Sequence, residues 1–187
     1  MMVVQLKKGR DGLPTLVCVR ADGTRTWRKV HPFFPIHDLT HYAVESILGF
    51  GAAFFGLVAS GWSLDAFTNG GASARLPAEA LWAEHIVGLF DLERGMQRPL
   101  GTEEFGEALA TSLAHQGVPP FRPLSPGELT AVRALRSDLL ARWLALAPGE
   151  TLALSFPADA LEPAPSERHL SRSPLVPNSP STHGAVP

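Results

Sequence analysis

Residues 2–30 read MVVQLKKGRDGLPTLVCVRADGTRTWRKV, and the stretch has the punctuation of an antiparallel meander. Val3, Val4 and Leu6 open a strand, and Asp11-Gly12 lies in a turn. Thr15 to Arg20 is rich in β-branched residues and apolar on both faces, which predicts a central strand. Asp22-Gly23 signals a two-residue hairpin, and Thr24 to Val30 returns as a third strand. His31-Pro32-Phe33-Phe34-Pro35 then breaks the sheet.

The far end of the chain answers this beginning. Thr151 to Phe156 alternates, with Leu152, Leu154 and Phe156 on one face, and is expected to join the N-terminal sheet. Helical patterns lie between. Pro35 suits the first turn of a helix because its missing N–H would be unpaired there anyway. That helix is expected to run through Ser46 and, bending at its glycines, on to Ala59. Trp62 to Ala74 reads as loop, with Asn69-Gly70-Gly71 as a turn. Pro77 opens a second helix to about Phe90, with Leu81, Trp82, Ile86, Leu89 and Phe90 at helical spacing. Thr102 is expected to cap a third helix reaching Ala114. Ser125-Pro126-Gly127-Glu128 is a capping box opening a fourth, with Leu129, Val132, Leu139, Leu140, Trp143 and Leu144 as its apolar residues. Pro148-Gly149 stops it. The fold class is therefore α+β: a small antiparallel sheet, the N-terminal meander plus one C-terminal strand, packed by about four helices in one domain over 1–157. Residues 158–187, rich in Pro and Ser, are expected to be a disordered tail.

Composition narrows the function classes. Of 187 residues 45% are apolar, enough for a sizeable core, and the net charge of −2 provides no basic field for nucleic acid. Cys18 is the single cysteine, so no internal disulfide forms, and its apolar surroundings predict a buried, inert thiol. No basic-then-apolar signal segment opens the chain, so a cytoplasmic location is expected. Ser46 to Leu64 is uncharged and near the ~20 residues a membrane span needs. Four glycines dilute it and no Lys/Arg cluster flanks it, so a buried helix is the preferred reading over membrane contact. The four tryptophans, Trp27, Trp62, Trp82 and Trp143, read as core or pocket wall.

The chemistry concentrates in His37-Asp38-Leu39-Thr40-His41-Tyr42-Ala43-Val44-Glu45. At about 100° per residue, His37, His41, Glu45 and Asp38 fall at roughly 0°, 40°, 80° and 100° around a helix. Two imidazoles and two carboxylates on one flank suit a divalent metal, zinc first and iron or manganese next. In the first turn the helix dipole disfavours a protonated His37, and the neutral ring is the metal-binding form. In this reading His37 and His41 ligate. Glu45 ligates or acts as a general base toward water, and Asp38 ligates or orients a ring. His85 and His31 are further candidate ligands. Arg75, Arg94 and Arg98 are candidates for contacting an anionic substrate, while His115, His169 and His183 belong to a helix end and the tail. No phosphate loop and no Gly-x-Ser-x-Gly elbow is present.

His37-Asp38-Leu39-Thr40-His41 resembles the HDxxH start of the zinc motif in the ubiquinone-biosynthesis family that acts on the coenzyme Q head group. That family has a Glu twelve residues after its second His, where this chain has Ala53. The resemblance implies that His37, Asp38 and His41 can be metal ligands. The longer string from Pro32 to Glu45 resembles the signature of an uncharacterised bacterial family. Two readings follow. One is a metal-dependent hydrolase or lyase acting on a small molecule; the other is a non-catalytic binding or protein-interaction domain in which the polar flank is structural.

Overall fold

A computed structural model describes residues 1–67 and 76–157. The Asn69-Gly70-Gly71 turn, Arg75, the 158–187 tail, His169 and His183 lie outside those residues. The fold is α+β. Strands β1 (Met2–Lys7), β2 (Thr15–Val19), β3 (Arg25–Lys29) and β4 (Thr151–Phe156) form one antiparallel sheet in the order β3-β2-β1-β4. Val4 faces Cys18 on one side and Leu154 on the other, and Leu6 faces Leu16 and Leu152. These residues, with Met2 and Phe156, make the buried face of the sheet. Strand period two thus puts every second side chain of β1, β2 and β4 into the core.

Two expectations for the sheet need correction. The β2–β3 loop has three residues, because the Arg20 N–H donates to the Thr24 carbonyl and the Gly23 N–H to that of Arg20. A two-residue turn of the primed type needs positive φ at both centres. Here Gly23 has it (φ 82°) and Asp22 does not. Trp27 is 60% exposed and is neither core nor pocket wall. It pairs with Val17, on the face of the sheet opposite the buried one.

The helices are α1 (Phe34–Leu48), α2 (Phe54–Ala59), α3 (Ala78–Met96), α4 (Thr102–His115) and α5 (Pro126–Ala145), with a 3-10 turn at Leu64–Phe67. The expected continuous helix to Ala59 is two helices. Gly49 ends α1 in the left-handed conformation (φ 71°), a state that costs glycine nothing. α3 continues past Phe90, ending where Gln97 turns left-handed. Gly101, not Thr102, caps α4, and its N–H donates to the Glu104 carboxylate. The Ser125/Glu128 box caps α5 as read from sequence. Leu144 lies on the outer side of α5, 68% exposed.

Helix α1 is the axis of the molecule. It packs on both α3 and α5, and Tyr42 ties it to the sheet by donating its hydroxyl to the Ser155 carbonyl at 2.7 Å. Every residue from Asp38 to Glu45 is buried. A helix enclosed on all sides is expected to be apolar throughout. Four of these eight, Asp38, Thr40, His41 and Glu45, are polar, and each needs a physical reason to be inside. Cys18 needs none. It sits in the sheet core, where burial pushes its thiol up to about 12. No helix among the described residues is long and apolar enough to cross a membrane.

Candidate metal centre

Helix periodicity sets the first pair of groups. His37 and His41, one turn apart on α1, bring their ring centroids to 4.8 Å with the planes crossed at 71°. Helix α3 passes alongside and contributes Glu84 and Asp91. Seven residues apart, these two carboxylates share one side of their helix. His37, His41 and Glu84 each present one ligand atom, all within 4.8 Å of one another.

The hydrogen bonds select the nitrogens. His37 Nδ1 lies 3.0 Å from Asp91 Oδ2. His41 Nδ1 lies 3.2 Å from Glu45 Oε1. A carboxylate can only accept, so each Nδ1 carries the proton. With Nδ1 so held, loss of the Nε2 proton to an incoming metal would turn each Nε2 atom into a lone-pair donor, the arrangement of carboxylate–histidine–metal sites. His41 Nε2 stands 3.5 Å from Glu84 Oε1. The Glu84 side chain is 52% exposed, whereas those of His41 and Glu45 are buried. The group is therefore open on the α3 side and closed beneath.

Charge is concentrated here. Burial pulls against the His41 proton, but hydrogen bonds to Glu45 and Glu84, with their charges, outweigh it and carry the imidazole to about 10. Burial likewise opposes the charge of Glu84 and Asp91. Their histidine partners override it and hold both carboxyls below the usual range. Asp38 is pushed up to about 6 by burial, against the pull of His41, His37 and Arg28. Its Oδ2 is buried without a hydrogen-bond partner among the described residues. Four carboxylates thus crowd two imidazoles, a field that favours added positive charge.

Of the residues singled out from sequence, His37 and His41 meet as expected. Glu45 goes elsewhere. Its Oε2 accepts the N–H groups of Phe55 at 2.8 Å and Gly56 at 3.4 Å, at the start of α2. The i, i+4 row drifts by about 40° per step, and by its second step it faces α2 rather than α3. Asp38 does not join the three either. α1 begins at Phe34, so Asp38 lies beyond the first turn, and its side chain is buried. His85 Nδ1 pairs with Ser112 Oγ at 2.7 Å. His31 is exposed and accepts from the Phe33 N–H. Sequence reasoning missed Glu84 and Asp91. The available signal was their seven-residue spacing, legible only once α3 is known to lie beside α1. No protein-family model matches the chain, and searches of curated proteins and of solved structures found no match.

Proposed function

We propose that this chain binds a divalent metal through His37, His41 and Glu84, with Asp91 and Glu45 orienting the two rings. The observation that carries the reading is the pairing of both Nδ1 atoms with carboxylates, which leaves each Nε2 edge as the one a metal would take, in exchange for the His41 proton, beside a third ligand. Two imidazoles and one carboxylate suit zinc, iron or manganese and leave coordination positions for water or substrate. A metal held there would supply Lewis acidity for a hydrolase or lyase reaction on a small molecule. The half-exposed Glu84 supports access from solvent. Glu45, committed to His41 and to two backbone N–H groups, suits positioning rather than proton transfer. Asp38, with an oxygen unpartnered among the described residues and a carboxyl pushed up to about 6 by burial, is the acid with capacity to take up a proton.

A second reading has its own observation. Charged His41 between Glu45 and Glu84, with Glu45 holding the start of α2, is also what a purely structural ion-pair network looks like. Metal analysis of untagged protein separates the two. Near-stoichiometric zinc, iron or manganese, lost in His37→Ala/His41→Ala and reduced in Glu84→Gln, is the expected result. Protein that holds no metal and whose melting temperature is unmoved by added zinc would establish the structural network instead. A ligand at 100 times its Kd stabilises by about 2.7 kcal/mol, an easily measured shift.

A further inference from the structure

On the far side of Asp91 from the two histidines, α3 and α5 flank an open cleft of about 300 Å³ whose wall holds Glu93 and four guanidinium groups, Arg94, Arg98, Arg133 and Arg136. Three of them are already answered. Arg98 pairs with both oxygens of Glu104. Arg133 pairs with the buried Glu93 and with the Leu100 carbonyl. Arg94 Nε lies 3.5 Å from Asp91 Oδ1, and its guanidinium stacks over Phe33 at 5.2 Å. Arg136 is different. Its Nε donates to Thr40 Oγ1 at 3.1 Å. Its terminal nitrogens donate to none of the described residues, and Nη2 is buried. Asp91 and Glu93 lie near enough to act on its charge, but neither is hydrogen-bonded to it, and a partly buried guanidinium with an unpaired N–H group costs stability until an acceptor arrives.

The rim has the matching character. Ser137 offers a hydroxyl and Gln97 an amide. Gln97 is fixed there as the left-handed residue (φ 54°) that ends α3. Pro99 and Leu140 give the cleft an apolar flank, and its volume lies at the lower end of small-molecule sites.

We propose that this cleft binds a small oxyanion, the phosphoryl or carboxylate group of a small molecule, with Arg136 as its principal partner. A guanidinium fork matches the two oxygens of either group. The site uses none of the three proposed metal ligands, though Arg94 shares Asp91 with His37, so it is tested on full-length protein treated with chelator, where no bound metal can serve as the anion acceptor. Titration calorimetry at low ionic strength uses inorganic phosphate and citrate as separate probes. Saturable binding of phosphate supports a phosphoryl ligand, and of citrate a carboxylate ligand. Arg136→Gln weakens whichever binds by about 10- to 100-fold. Ser137→Glu, at an exposed position on α5, sets a negative charge on the rim and abolishes binding without disturbing the core, so it carries the test should Arg136→Gln fail to fold. Lys29→Gln, on the distant β3, leaves binding unchanged. Absence of saturable heat with either anion overturns the proposal, as does wild-type affinity in the two cleft variants.

Discussion

Glu45 and Asp91 do similar work on two neighbouring rings at different depths, and this makes them separable by mutation. Asp91 retains 20% of its side-chain exposure and touches His37 and Arg94. Glu45 is fully enclosed and serves His41 together with the N–H groups of Phe55 and Gly56. Asp91→Asn is expected to weaken zinc binding by about 10- to 100-fold with little change in thermal stability. Glu45→Gln is expected to weaken zinc binding and also to destabilise the fold by about 3 kcal/mol, because it leaves a charged His41 short of its buried partner. Zinc titration and chemical denaturation of the two variants check both statements. Equal stability losses would mean that the depth difference has no energetic consequence.

At the scale of elements, the loop between α1 and α2 is held by side chains from two helices and by a close backbone approach. Ala52 N–H donates to Glu79, Phe55 N–H donates to Glu45, and the Gly56 Cα packs directly against the Gly51 carbonyl. A methyl group at Gly56 would overlap that oxygen. Gly56→Ala is therefore expected to cost about 3 kcal/mol, read from the urea midpoint. The opposite end of α3–α5 depends on charge instead. Arg122, the Ser125 N–H and the Ser125 hydroxyl hold the Glu128 carboxyl down at about 2, against an ordinary 4.5. A depressed carboxyl adds stability above its unfolded value and loses it as pH falls through its folded value. The difference in melting temperature between wild type and Glu128→Gln is thus expected to be constant above about pH 5 and to close toward pH 2. The sequence made some of these elements plain and hid others. The α5 cap was legible because Ser125 and Glu128 act within one turn. The two α1 histidines were legible for the same reason. The break at Gly49 was not, since a glycine in an apolar run signals either a bend or a stop until its φ is known. Glu84 and Asp91 were hidden for a deeper reason: which helix packs beside α1 is set by the whole core, not by residues near either carboxylate.

For the molecule as a whole, the sheet and α1 depend on each other through β4. Phe156 is 1% exposed, closes the buried face beside Met2, and packs on Tyr42 and Phe55. Phe156→Ala is expected to destabilise by about 3–5 kcal/mol, measured by denaturant unfolding, a large share of what a domain of this size possesses. The strand order has a temporal consequence as well. β1 is hydrogen-bonded on one side to β2, its neighbour in the chain, and on the other to β4. A nascent chain leaving the ribosome thus carries β1 with one edge bare through the synthesis of α1 to α5. Such an unpaired edge is a docking place for strangers. β4 closes it, so a chain stalled or cut short before Thr151 yields a sticky intermediate rather than a smaller working protein.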